Sequence, residues 1–308
     1  MFGSLWNSMP GAVELGLLYA LMALGVYITF RILDFPDLTV DGSFTTGGAI
    51  AAVMITAGYS PWLATAAAFA GGLAAGALTG LLHAKGKING LLSGILMMIA
   101  LYSINLRILG RPNVSLLGAE TIFPPVGRDQ KWLLLLVIAV VIVVIKLLLD
   151  AFLKTDLGLA LRATGDNAKM IGSFGANTDT TKIIGVSLSN GFVALSGALI
   201  AQQGGFADIS MGVGMIVIGL ASVIIGEALF GAKTVFRATL AVVLGSIVYR
   251  IVVALALRVD WLESSDVKLI TALIVIIALV VPTTSRSWTM RKLAHKRSRE
   301  LAGSEAGR

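Results

Sequence analysis

Two groups of residues in this 308-residue chain have types and spacings that could do chemistry. The first is a pair of short polar breaks in otherwise apolar sequence, Phe35-Pro36-Asp37-Leu38-Thr39 and Phe206-Ala207-Asp208-Ile209-Ser210, which align without a gap at a shift of 171 residues. Each reads as aromatic-x-Asp-aliphatic-hydroxyl, and in each a helix follows. Asp, Thr and Ser oxygens accept the orphan N–H groups of a helix start. A helix that starts inside a membrane can also present its N-terminus to an anionic part of a small solute. Phe35, Asp37, Thr39, Asp41, Phe206, Asp208 and Ser210 are therefore the candidate residues of a translocation pathway. That both breaks are ordinary interfacial turns stays open as the alternative.

The second group lies in the longest polar insertion, Thr155 to Lys182. Thr164 and Asp166 are candidate N-caps there, and Gly175 is a candidate C′ residue, so Asn167 to Phe174 is expected to form about two helical turns. Ala168, Met170, Ile171 and Phe174 give that helix an apolar side. A helix this short and this polar does not cross a bilayer. It suits docking into a groove on a partner protein, or lying on its own membrane domain.

Other chemistries lack their residues. There are no cysteines, so no disulfide or thiolate site can form. The two histidines, His83 and His295, are far apart in basic segments, and no metal site is expected. Gly226 to Thr234 looks like a phosphate-binding loop but has one residue too many before its lysine and follows no strand. No nucleophile–base pair appears. No catalytic residue is assigned, no cofactor is expected on this chain, and any ATP would be handled by a separate subunit.

The elements that position these groups follow from composition. The chain is 56% hydrophobic and 13% charged, with mean hydropathy +0.89. Soluble domains carry about a quarter charged residues, so the bilayer is the solvent that fits. The expected fold is an all-α polytopic membrane protein of about nine transmembrane helices, within a range of eight to ten. The spans are Gly11–Leu33, Ser43–Ala57, Trp62–Leu82, Gly90–Ile108, Trp132–Phe152, Ile183–Gln203, Met211–Leu229, Val235–Leu257 and Lys268–Val281. Gly11–Leu33 is too long for the core of a cleavable signal peptide and has no basic segment before it.

The net charge of +7 sits between spans and in the tail, where the positive-inside rule explains it without nucleic acid. His83, Lys85 and Lys87 form one group, Lys154, Arg162, Lys169 and Lys182 another, and Lys233 and Arg237 a third. The tail carries Arg286, Arg291, Lys292, Lys296, Arg297 and Arg299. All fall in the cytoplasm if the N-terminus is outside and nine segments cross; Arg111, Arg128 and Lys131 are the exceptions. Residues 1–285 form the transmembrane domain, with the loop 155–182 cytoplasmic, and 286–308 a basic cytoplasmic tail. On this count five crossings separate the two breaks, which makes the repeat inverted. Gly72, Gly76 and Gly80, four apart on one helix face, predict a helix-packing seam.

The loop residues Arg162, Ala163, Asn167, Gly175, Asn177 and Thr178, with Asn190, Gly191, Ala194, Gly197 and Ala198 beyond them, resemble the permeases of the branched-chain amino acid ABC transporter family. The run Asp34 to Phe44, DFPDLTVDGSF, is similar to a sub-branch of tryptophan or tyrosine permeases. The resemblance covers most of the chain in span order and length. It implies that Asp166 to Gly175 is the coupling helix that docks on the ATPase, with Arg162, Asp166, Asn167, Met170, Phe174, Gly175, Asn177 and Asp179 as the coupling residues. It also implies a second permease subunit, a homodimer being expected, and an extracellular or periplasmic solute-binding protein. The chain departs from the family at Gly226-Glu227, where many relatives have Gly-Gly. Glu227 is expected to pair with Lys233 or to sit at the cytoplasmic interface. The Asp34–Phe44 run also differs from the Asn-Phe-Ala-His-Gly form of the larger family, which turns the expected solute from branched-chain toward aromatic amino acids. Sugars, nucleosides and an ion-coupled secondary transporter are the competing readings. Asp37, Asp41 and Asp208 are each expected near an interface.

Overall fold

The computed structural model describes residues 2–123, 131–257, 269–274 and 276. Helix α1 (Phe2–Val26) runs into a π-helical turn at Tyr27–Ile32. Then come α2 (Thr39–Thr56), α3 (Pro61–Ala84), α4 (Gly90–Leu109), strand β1 (Asn113–Ser115), α5 (Lys131–Phe152) and α6 (Asp156–Ser173). The chain continues through α7 (Thr178–Gly204), strand β2 (Phe206–Asp208), α8 (Met215–Phe230) and α9 (Val235–Ala256). The described residues of 269–276 are also helical.

Local chemistry sets the ends. Asn89, Asn177 and Thr234 cap α4, α7 and α9, their side-chain oxygens accepting the backbone N–H groups of Leu91, Thr180 and Arg237. Pro61 opens α3, where its missing N–H costs nothing. Gly110 and Gly205 stop α4 and α7 in the left-handed region, at φ +68° and +74°.

Six helices among the described residues are long and apolar enough to cross a membrane: Met9–Ile32, Pro61–Ala84, Gly90–Leu109, Trp132–Phe152, Thr178–Gly204 and Val235–Ala256. Helix α8 is apolar but has 16 residues, and α2 carries Asp41 with several hydroxyls. The expected second span begins earlier than read, at Thr39 rather than Ser43, because Asp37 turns the chain there. The seventh begins later, at Met215 rather than Met211. Half of the ninth lies outside the described residues, as do Arg128 and the basic tail.

Helices α1 and α7 form the centre, and α5 lies at the rim. Leu18, Leu21 and Leu24 of α1 and Ile28 of the π turn are fully buried, whereas Leu133, Leu136, Val140, Val144 and Leu148 of α5 are exposed. The small-residue seam holds α3 on α7. A Cβ at Gly72 or Gly76 would collide with the backbone oxygen of Asn190 or Val186, and one at Gly80 would meet the Ile183 Cα. Backbones in that contact associate where no hydrophobic effect operates.

The loops sort to two ends. One end gathers the π turn, residues 85–89, α6 and the turn 231–234: His83 reaches Lys182, Lys87 reaches Asp179 and Arg31 reaches Glu227. At the other end β1 and β2 pair antiparallel, Asn113 opposite Asp208 and Ser115 opposite Phe206.

Candidate functional site

Asp37 lies in the turn between α1 and α2, and its side chain is fully buried. Its Oδ1 accepts the Thr39 N–H at 2.9 Å and its Oδ2 accepts from the Asn190 Nδ2 at 2.7 Å. The Thr39 and Thr79 hydroxyls meet at 2.9 Å. Asn190 is eight residues beyond Lys182 along α7, about 12 Å at the α-helical rise. Asp37 is therefore buried inside the bundle. Phe35 packs edge-on against His83, ring centroids 5.0 Å apart, and fills space beside Gly90.

The second break repeats the local geometry at the other end of the molecule. Asp208 Oδ1 accepts the Ser210 N–H at 2.8 Å, the same turn that Asp37 makes with Thr39, and the Ser210 hydroxyl bonds the same oxygen. Phe206 is half exposed beside it. Asp37 and Asp208 are thus not brought together.

What joins the breaks is Asp41. From the first turn of α2 its Oδ2 accepts the Gly214 N–H and its Oδ1 the Ile216 N–H, both at 2.9 Å. Thr45 Oγ1 accepts the Gly212 N–H at 3.1 Å. The start of α8 is therefore capped by a residue of another helix. The contact is so close that a Cβ at Gly212 would overlap the Asp41 carbonyl.

At the opposite end, α6 differs from the expected helix in how it starts. Thr155 caps it by accepting from Gly158 N–H at 3.3 Å. The Thr164 hydroxyl instead bonds Ala160 O at 2.7 Å within the helix. The break falls at Asn167 (φ −159°, ψ 90°), whose Oδ1 accepts the Met170 N–H at 3.0 Å. Asn167 itself, not Thr164 or Asp166, caps the last short turn. Met170 and Phe174 project from it, 51% and 79% exposed. Gly175 closes it at φ +87°, with the Ala176 N–H reaching Ile171 O. Asn177 then caps α7, and Asp179 pairs with Lys87 at 3.6 Å.

Gly165 presses against the end of α1, where an added Cβ would overlap Ile32 O. A polar crevice of about 250 Å³ opens there, with Arg31, Arg162, Asp166, Glu227 and Lys233 on its walls. Glu227 pairs with Arg31 at 2.8 Å, not with Lys233, because the wide turn at Tyr27–Ile32 brings Arg31 to the end of α8.

Three further polar groups were given no structural role in the sequence reading. Asn105 of α4 accepts from Thr46 Oγ1 at 2.8 Å and donates to Gly42 O at 3.1 Å. Asn190 supports Asp37. Lys146 and Asp150 form a buried ion pair on α5, with Lys146 Nζ 3.2 Å from the Phe236 ring centroid and Thr239 Oγ1 donating to Asp150 at 2.6 Å. A lone ionisable residue inside an apolar run is itself a signal, and the i,i+4 spacing of Lys146 and Asp150 names the partner. Among the described residues no cluster of three or more metal-ligating side chains occurs.

An apolar multi-helix bundle with helices long enough to span a bilayer defines a membrane protein. This chain belongs to the family of permease components of the branched-chain amino acid transport system, whose model matches residues 11–280. It is 48% identical over 260 residues to the tyrosine transport system permease protein of Clostridioides difficile strain R20291, covering 84% of this chain and 86% of that one. It is 38% identical over 191 residues to uncharacterized protein RP368 of Rickettsia prowazekii strain Madrid E, covering 62% and 66%. It is 28% identical over 187 residues to the ribose import permease protein RbsC of Escherichia coli K12, covering 58% and 56%. A solved chain of an ABC transporter aligns with 90% of this chain and 84% of its own, at TM-score 0.49 and 18% identity. The protein is a multi-pass permease subunit of an ABC transporter, and its ATPase is a separate partner.

Proposed function

We propose that this permease imports an amino acid with an aromatic or branched apolar side chain, driven by ATP hydrolysis on the partner. The observation that carries the reading is the last turn of α6. Its Met170 and Phe174 are exposed on a capped helix, while Gly165 behind them lies against the backbone of the π turn that continues α1. A partner gripping Met170 and Phe174 would push directly on the central helix. The solute class draws on the tyrosine permease similarity over most of both chains and on the Asp34–Phe44 run. ATP and solute would each bias a two-state switch between outward and inward access.

The full assembly in this reading has two permease subunits, two ATPases and an external binding protein. The chain would cross nine times, N-terminus outside and C-terminus in the cytoplasm, in a cell membrane, with loop 155–182 at the ATPase.

An inverted repeat has support from numbering and contacts together. The shift of 171 residues lays α1 on α7, α2 on α8 and α3 on α9. It exchanges Leu18 with Ser189 and Gly25 with Ser196. The Ser189 hydroxyl donates to Gly25 O at 2.6 Å and the Ser196 hydroxyl to Leu18 O at 2.8 Å, so a two-fold axis would swap these two bonds. Asp41 and Gly212, also mates under the shift, touch each other. Asp37 and Asp208 make the same turn. The pathway residues Asp37, Thr39, Asp41, Asp208 and Ser210 lie at or beside these two mated breaks.

The test is uptake by proteoliposomes holding the permease, its ATPase and the binding protein. Labelled tyrosine or leucine should accumulate only with ATP and only with the ATPase present. Accumulation without the ATPase would place the protein among ion-coupled carriers, and preference for ribose would move the solute class to sugars.

A further inference from the structure

Between the two breaks the structure holds a cavity of about 510 Å³, walled by α2, α4 and the irregular segment before α8. We infer that this cavity is the solute-contact site of the permease and that it takes a zwitterionic amino acid with a large apolar side chain. The assignment rests on the importer reading above and deepens it by adding α4, none of whose residues belonged to the candidate pathway.

Three observations meet at this place. First, residues 209–214 have no regular structure and bring Ile209 and Val213 to the wall opposite α4 and beside Asp41. Second, the size is right, since small-molecule sites run from about 300 to 1000 Å³. Third, the wall has two chemistries. Asp41 supplies a carboxylate at one side, whose oxygens accept the Gly214 and Ile216 N–H groups without exhausting the acceptor sites of a carboxylate. Met98, Ile99, Tyr102, Ile209 and Val213 supply most of the rest. An ammonium would sit against Asp41 and an apolar side chain against Met98 and Tyr102. A sugar would need many hydrogen-bonding groups, and this wall offers few. Asn105 has both amide atoms committed to Thr46 and Gly42, so it is a positioning residue that holds α4 against α2 and fixes the width of the site.

The chain has no cysteine, which makes a direct test available in the complete complex. Ser103 lines the cavity and is exposed. In a Ser103→Cys variant, saturating tyrosine should slow alkylation of the permease's single thiol, read on the separated permease band, and ribose should not. Met98→Trp, which fills the cavity, should lower ATP-driven tyrosine uptake roughly tenfold while the ATPase still co-purifies. Tyr102→Ala, at an exposed position that needs no repacking, should change the ratio of tryptophan to leucine uptake by a similar factor. Unprotected alkylation together with wild-type uptake and selectivity in both variants would overturn the cavity assignment and leave the importer reading standing. A wild-type complex that moves no amino acid would overturn both.

Discussion

The Asp37 carboxylate and the Asn190 amide, 153 residues apart in the chain, meet at 2.7 Å inside the bundle. The bond ties the turn after α1 to the middle of α7, in a place where water cannot replace it. Asn190→Ala would leave a buried carboxylate oxygen without its side-chain donor. The expected loss is about 1–3 kcal/mol, read as a lower unfolding midpoint in detergent. An unchanged midpoint would mean that the turn is held by Thr39 alone.

The two intrachain ion pairs with the closest contacts should behave oppositely. Lys146 and Asp150 are 3% and 4% exposed at the side chain, whereas Arg31 is 61% exposed. Asp150→Ala strands a buried ammonium and should cost about 3–5 kcal/mol. Arg31→Ala should cost at most about 1 kcal/mol. The double replacement Lys146→Met with Asp150→Leu should recover most of the loss, because an apolar pair of similar volume needs no desolvation. Equal destabilisation by the two single variants would contradict the burial contrast.

Glycine seams give a third comparison. Gly76→Val pushes a side chain into the backbone of α7 and should destabilise by about 1–3 kcal/mol or more. Gly172→Ala meets nothing within 4 Å, so it should be neutral or stabilise α6 by about 0.5–1 kcal/mol. Thermal unfolding of the two variants side by side checks both.

Phe174→Asp and Met170→Asp change only side chains that project from α6. Both should abolish co-purification of the ATPase while leaving the permease inserted and its unfolding midpoint within about 0.5 kcal/mol of wild type. Gly175→Pro should do the same by destroying the φ +87° cap. Normal co-purification of all three would show that the ATPase grips another surface.

Much of this geometry could be read ahead of the structure, and the rest could not for identifiable reasons. The Gly72, Gly76 and Gly80 seam was legible because its spacing is a property of one helix. The Gly175 stop was legible because only glycine adopts that conformation freely. The partners of Asp41 and Glu227 were not: each is bound by a residue more than 170 positions away or nearly 200, and no local pattern encodes such pairs. Asn167 misled because Thr164 and Asp166 beside it are equally good caps by type, and only the packing of Gly165 on Ile32 fixes where the helix must bend. Lys146 and Asp150 were visible in the sequence but were masked by the strength of the apolar run around them.

The wide turn at the end of α1 carries a mechanical implication. Leu33 N–H reaches back five residues to Ile28 O, where an α-helix would reach back four. Arg31 and Ile32, which hold α8 and α6, both sit on this underwound step. Returning the turn at Tyr27–Ile32 to ordinary α pairing would swing both residues about the axis at once. Two grips on the central rod would release together.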